Sequence, residues 1–452
     1  MNIMREEVRD LKGIFGRIKN RDFRGNEGRV IKNSSWQIAT TLVAKMGSLL
    51  FTIIIARLML PEVYGLYGLA LSTILLMAIF SDFGIGSALM TFVSKTIDKK
   101  PGKAKGYFYF LTKYKLLLII LSSTILLASA SWLANSYYNK PIFYAISAGV
   151  IFLPMMIFSG YLIPLFTAKN NFKPQFIKEV IVQISRLTLV PLFIIYFLKK
   201  ISSVDFYLFW IFIALSLCYF LGGVYLLITA KIKHPFKKIR AQGLNSKEKG
   251  DLIKFIIPLS VTALSGAFFG LIDQIMLGHY VESQFLGFYQ AAFNLTTSAS
   301  AIIAFSATAA FPIFARLKGK QLERGFRKIR NITFLISAAA ATFTFFISTF
   351  FIPFVYGIEY STSISYLKIL SLLLISFPLI SLYTIYYTSQ ERTKIISVLL
   401  ITSTLLNIVL NYVFINIGMH YSMFYAVMGA CIATIISRYS YLAGLVLWRR
   451  RQ

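Results

Sequence analysis

Several charged side chains sit deep inside stretches that are otherwise apolar. They are Lys45, Arg186 and Arg438 as cations, and Asp82 and Asp273 as acids. Arg57 ends the first apolar run, close to Glu62. A charge in such a place costs about 3 kcal/mol at the centre of a membrane helix, so it marks a site rather than a scaffold. Lys45 lies about 16 Å along its helix at 1.5 Å per residue, too deep to reach water easily. Lys113, Lys115 and Lys368 start their runs and can extend to the interface, so they carry little functional weight. Arg57 has two open readings, a local pair with Glu62 or a gate contact. The deep cations outnumber the deep acids. That surplus suits an anionic substrate, because Arg and Lys are the natural partners of phosphate oxygens. Gln37, Thr41, Lys45, Ser48 and Thr52 recur at helical spacing and share one face. Asn294 in the eighth run, and Asn407 and Asn411 in the eleventh, are further polar candidates, with helix–helix hydrogen bonding as the alternative role. The expected substrate ligands are therefore Lys45, Arg186, Arg438, Arg57, Gln37, Thr41 and Asn294. Asp82 and Asp273 are expected to pair with these cations and to couple or gate.

Other chemistries find no support. The histidines His234, His279 and His420 are scattered, and Cys218 and Cys431 lie in apolar runs. No metal site, cofactor or disulfide framework is expected. There is no phosphate-binding glycine loop, which disfavours a built-in ATP motor.

The elements that must hold these residues are membrane spans. The chain has 452 residues, 57% hydrophobic, with a mean hydropathy of +0.69. The net charge of +30 would suggest nucleic acid if it belonged to a soluble domain. Its cations instead sit in short segments between apolar runs, so no nucleic-acid partner is expected. Twelve spans are predicted: 34–60, 66–92, 107–134, 142–167, 177–198, 206–230, 254–279, 286–314, 331–356, 363–388, 395–417 and 423–448. Of the 47 Lys and Arg, 37 fall in the N-terminal arm, the loops after even spans (with Lys178 and Lys254 at the span edges beside them) and the C-terminus, and 3 in loops after odd spans. The positive-inside rule then places both termini in the cytoplasm of a multi-pass protein of the cell membrane. In the arm, Val8, Leu11, Phe15 and Ile18 recur at helical spacing among basic residues, which predicts an amphipathic helix on the inner leaflet rather than a secretory signal.

A shift of 222 residues superposes the two halves. Gly65-Leu66-Tyr67 meets Gly287-Phe288-Tyr289, Thr40 meets Thr262, Ala70 meets Ala292 and Ala88 meets Ala310. Six spans per half give both halves the same orientation. The expected fold is all-α: twelve transmembrane helices in two six-helix lobes, related by a pseudo-two-fold axis along the membrane normal. The expected divisions are the arm at 1–32, an N-lobe at 33–230, a basic linker at 231–253 and a C-lobe at 254–452. The buried acids do not repeat, since Asp82 maps to Ala304 and Asp273 to Phe51.

The stretch ARLMLPEVYGLYGLALS, followed by SDFGIGSAL, resembles the N-terminal pattern of Wzx-type oligosaccharide flippases, the polysaccharide biosynthesis exporters. The carrying residues are Ala56, Arg57, Pro61, Glu62, Tyr64, Gly65, Tyr67, Asp82 and Gly84, with Asp273, Gly278, Gly287, Tyr289 and Ala292 in the second half. The resemblance implies a carrier of the multidrug/oligosaccharidyl-lipid/polysaccharide superfamily with a central V-shaped cavity. It implies a polyprenyl-pyrophosphate-linked oligosaccharide as substrate, moved to the outer leaflet by alternating access. It leaves coupling to a proton or sodium gradient open, and glycan-assembly enzymes as further partners beside membrane lipids. The rival readings are a multidrug antiporter of the same superfamily and, remotely, a membrane glycosyltransferase or ligase. Short loops after the odd spans leave such an enzyme little room, so no catalytic residue is expected.

Overall fold

Apolar runs that cannot hydrogen-bond to lipid must satisfy their backbone internally, and the described residues of these runs do so as helix. The computed structural model describes residues 25–198, 203–233, 239–309, 314 and 319–450. The predicted amphipathic segment Val8–Ile18, and Lys199, Lys200 and Ala310, lie outside those residues. The N-terminal half contains α1 (Gly25–Leu58), α2 (Pro61–Phe80), α3 (Ile85–Thr96), α4 (Pro101–Ser131), α5 (Phe143–Tyr161), α6 (Ile163–Ala168), α7 (Lys173–Leu198) and α8 (Val204–Lys233). A π turn, Trp132–Tyr137, extends α4. The second half contains α9 (Ser246–Tyr280), α10 (Ser283–Ala309), α11 (Gly319–Tyr356), α12 (Ser363–Leu370), α13 (Leu373–Ser389), α14 (Thr393–Met419) and α15 (Met423–Arg450).

These helices make the twelve predicted spans, six per lobe. Ten are long and apolar enough to cross a membrane singly, and α12 with α13 are so as a pair bent by 41°. The remaining one, α10, has span length but is diluted by Gln290, Asn294, Thr296, Thr297 and Ser298. Four boundaries differ from expectation for local reasons. Pro61 occupies the first turn of α2, so the Pro-Glu-Val-Tyr-Gly stretch is helical, with Tyr64 and Gly65 buried rather than forming a surface turn. Pro101 likewise starts α4 six residues before the predicted 107. An Asn245/Glu248 capping box starts α9 at Ser246 instead of 254. The second span is interrupted at 81–84, where Phe83 (φ 37°) and Gly84 (φ 74°) take left-handed conformations that no helix can continue.

Three packed cores describe the shape. One contains residues of both halves, among them Ile55, Tyr64, Leu69, Leu208, Leu286, Tyr360 and Val427, at the end of the molecule where the odd loops carry few charges. The other two lie toward the basic end and are separate. One gathers α3, α4, α6 and α8, and the other gathers α11, α13 and α15. The lobes thus share a core at the charge-poor end and keep separate cores at the basic end, where α9 still reaches the first lobe through Leu252 and the Lys103–Glu248 pair. Among the described residues, only α9 reaches all three cores, with Leu252 in the first lobe's, Phe269 in the second's and Leu277 in the shared one.

Candidate functional site: the space between the lobes

At the seam the repeat becomes a contact. A Cβ on Gly65 would overlap the carbonyl oxygen of Ser283, and a Cβ on Gly287 would overlap that of Pro61. Ser283 is the 222-residue counterpart of Pro61, and Gly287 that of Gly65, so the two contacts are images of each other about the pseudo-two-fold axis. One step deeper, Ser72 Oγ donates to Gln274 Oε1 at 2.8 Å, and Gln274 Nε2 donates to Gln290 Oε1 at 3.1 Å. Gly68 leaves the room that Gln290 fills.

The same seam takes up two residues expected to touch substrate. Arg57 donates through Nε to the carbonyl of Val355 at 2.7 Å and through Nη2 to that of Phe354, both at the end of α11. It reads neither Glu62 nor an open cavity. Asn294 Nδ2 donates to Tyr64 Oη at 3.0 Å, again across the lobes. Tyr360 Oη adds a bond to the carbonyl of Ala56 at 2.9 Å. In this conformation Arg57 and Asn294 lock the charge-poor end.

Toward the basic end, α1 is open over half its circumference. Gln37, Thr41 and Lys45 occupy one edge of the exposed half, and Ile38, Leu42, Met46 and Leu50 the other. The first edge suits water and the second lipid. Thr41 Oγ1 is satisfied within its helix by the Gln37 carbonyl at 3.0 Å. Lys45 has no hydrogen-bond or ion-pair partner among the described residues. Arg186 lies on a different side of α1, its guanidinium 4.1 Å from the ring of buried Phe51, with Nε unpartnered. Lys45 and Arg186 therefore share a lobe but face different sides of α1.

The two deep acids have separate settings. Asp82 sits at the interruption of the second span and pairs with Lys115 of α4 at 2.6 Å. The expected pairing with Lys45, Arg186 or Arg438 is replaced by a cation first dismissed as interfacial. With α4 starting at Pro101, Lys115 is about 21 Å along its helix and cannot simply snorkel. Ser260 of α9 donates to the Phe83 carbonyl at 2.7 Å and so fixes this interruption from the other lobe.

Asp273 is 2% exposed and collects bonds from three helices. Asn411 Nδ2 donates to Oδ1 at 2.7 Å, while Thr434 Oγ1 and Tyr289 Oη donate to Oδ2 at 2.6 and 3.0 Å. Asn407 Nδ2 donates to Ser437 Oγ at 3.1 Å, and the Oδ1 atoms of Asn407 and Asn411 remain unpartnered. One turn beyond Thr434, Arg438 lies over the rings of Phe269 and Phe377 and donates Nη2 to the Phe269 carbonyl. Asp273 and Arg438 thus belong to one buried polar centre, built by α9, α10, α14 and α15. Its acceptors could hold a proton or a small cation. Asn407 and Asn411 were legible from their i, i+4 spacing. Tyr289 and Thr434 were not, because a tyrosine in a turn pattern and a lone threonine give no signal of their own.

Comparison with known proteins places this geometry. A family profile described as "Polysaccharide biosynthesis protein" matches residues 30–318, and one described as MatE matches 258–413. An uncharacterized membrane protein of Methanocaldococcus jannaschii is 24% identical over 430 residues, covering 90% of this chain and 95% of its own. Among solved structures, an inward-facing multidrug resistance MATE family transporter of the MOP superfamily aligns with TM-score 0.70 at 15% identity, over 91% of this chain and 94% of its own. The lipid II flippase MurJ, in an inward closed conformation, aligns with TM-score 0.67 at 15% identity, over 90% and 86%. These two likenesses establish the two-lobed fold. The first profile spans well over half of the chain, and the protein is a multi-pass membrane member of the polysaccharide biosynthesis protein family.

Proposed function

We propose that this protein is a flippase for a polyprenyl-pyrophosphate-linked oligosaccharide, carrying it from the cytoplasmic to the outer leaflet of the cell membrane by alternating access. The basic end, with both termini, faces the cytoplasm. The observation that carries the reading is the arrangement of the three cores: one shared by the lobes at the charge-poor end, separate ones at the basic end, with Lys45, which has no partner among the described residues, on the exposed edge of α1. Such a cleft opens to the leaflet where lipid-linked sugars are assembled. Its surplus cations suit a pyrophosphate. Arg186 and Arg438 are the further anion ligands, each with an unpartnered Nε. Gln37 and Thr41 line the path. The Asp273 centre takes the coupling proton or sodium ion, and the Asp82–Lys115 pair gates the basic end. The protein does no bond-making chemistry, and its partners are the lipid-linked glycan and the enzymes that assemble it.

Complementation tests this reading. The wild-type chain is expected to restore surface glycan to a strain lacking its own oligosaccharide flippase, whereas Lys45→Ala at equal membrane abundance does not. Full restoration by Lys45→Ala and Arg186→Ala alike removes the pyrophosphate site. A multidrug antiporter is the second reading, favoured by the MatE match and by the buried acid of the second lobe. Ion-driven drug efflux from liposomes, untouched by lipid-linked sugar, would select it.

A further inference from the structure

Beside α11, away from the seam, a crevice of about 280 Å³ opens between α11, α13 and α15. It is lined by the polar Arg330 and Asn331 and by Phe334, Leu379, Tyr383, Leu442 and Val446, with Arg330 nearest the basic start of α11. We propose that this crevice binds an anionic phospholipid of the leaflet at the basic end, with its phosphate on Arg330 and the start of an acyl chain along Phe334 and Leu442.

Three observations carry the assignment. Arg330 lies where α11 changes character: Lys320, Arg324, Arg327 and Lys328 precede it, and the apolar run Ile332-Thr333-Phe334-Leu335-Ile336 follows Asn331. That step is where a helix passes from the headgroup layer into hydrocarbon. The guanidinium is also uncommitted. Its Nε and Nη2 reach only Asn331 Oδ1 on the same helix, at 3.2 and 2.9 Å, and it makes no ion pair among the described residues. Arg449 on the neighbouring α15 holds an acid by contrast, paired with Glu323 at 2.6 Å and stacked on Phe326. The one acid in the first turns of α11 is therefore spent, and the local charge left at Arg330 is positive. Finally, the crevice is two-ended. Its volume approaches the lower limit of small-ligand sites, about 300 Å³, with Arg330 at one end and apolar walls beyond. Free phosphate would use only Arg330, and a neutral lipid only the walls. The substrate's pyrophosphate is a separate source of the same chemistry, but the crevice is lined by a single lobe and by none of the seam helices α1, α2, α9 and α10.

The test uses the full-length protein, delipidated in detergent. It is titrated with phosphatidylglycerol, phosphatidylcholine, inorganic phosphate and geranyl pyrophosphate, with native mass spectra and melting temperature as readouts. Phosphatidylglycerol is expected to bind and raise the melting temperature. Phosphatidylcholine should bind about tenfold more weakly, for want of the charge-assisted contact. Arg330→Gln should lower phosphatidylglycerol retention about tenfold, and Leu442→Trp, which fills the crevice, should do the same. If Leu442→Trp fails to give a monodisperse protein, Arg330→Gln decides alone. Equal retention by wild type and Arg330→Gln overturns the proposal. So does equal binding of phosphatidylcholine, or displacement of the bound lipid by inorganic phosphate or by geranyl pyrophosphate at matched concentration.

Discussion

Lys45 and Asp273 are both deep charges, yet their surroundings assign them different work. Lys45 is exposed and has no hydrogen-bond or ion-pair partner among the described residues, so truncating it breaks no such bond there. Lys45→Ala should leave the melting temperature within about 2 °C, as for a surface change of under 0.5 kcal/mol, while export falls roughly tenfold or more for the loss of a charged contact to phosphate. Lys45→Arg should keep most of the activity. Asp273 accepts bonds from Asn411, Thr434 and Tyr289 and lies near Arg438. Asp273→Ala strands those donors and should cost about 3 kcal/mol, read as a lower melting temperature in detergent. Asp273→Asn should preserve more of the fold yet abolish dependence on the ion gradient in proteoliposomes. The sequence made these deep charges visible because a charge in an apolar run stands out. It did not reveal their partners. Lys115 was misplaced because its span was started at Tyr107 instead of Pro101, an error of six residues that turned a buried lysine into an interfacial one. The Asp82–Lys115 pair is part-exposed on the acid's side, so a double-mutant cycle should find a coupling of about 1 kcal/mol.

Among the elements, α2 and α10 set the geometry of the seam. The 222-residue repeat showed that Gly65 and Gly287 are equivalent. It could not show that each faces the other's helix, because equivalence fixes an axis and not the distance of two elements from it. The reciprocal overlap with the Ser283 and Pro61 carbonyls makes these glycines a requirement of close approach. Gly65→Ala and Gly287→Ala should each push the charge-poor end apart. Spin labels on α2 and α10 would then report a longer distance, and the double variant a longer one still. Gly84 is a glycine for another reason. Its φ of 74° makes Gly84→Ala costly by about 1 kcal/mol, with the loss appearing as disorder at the interruption between α2 and α3. That interruption was hidden in the sequence because Asp82-Phe83-Gly84 fits a continuous apolar span.

For the molecule as a whole, the lobes share a core at one end and keep separate cores at the other, and the sequence foretold the lobes but not which end is shut. One surface group reports that closure. Lys140, between α4 and α5, donates to the Gly278 carbonyl at 2.7 Å across the seam, and burial lowers its pKa from the ordinary 10.5, with Glu282 offsetting part of the shift. Opening the charge-poor end would expose Lys140 and return its pKa toward 10.5. The open state then binds more protons than the closed state between the lowered value and 10.5. Closure should therefore strengthen as pH rises through that window, and Lys140→Met should abolish the trend in the same spin-label distances. Helix α9, which reaches the separate cores of both lobes, adds a constraint. Between Leu252 in the first lobe's core and Phe269 in the second's run about 26 Å of helix, interrupted by Pro258, which can make no backbone bond to the turn before it. Such a tether bends readily but does not lengthen. It limits how far the basic ends can separate while the charge-poor ends part, so the two mouths are not free to gape together. The consequence is electrical: turnover should proceed without a continuous water path, and bilayers holding the wild-type protein should show no ion leak. Lengthening α9 with glycines at Pro258 should make the same bilayers conduct.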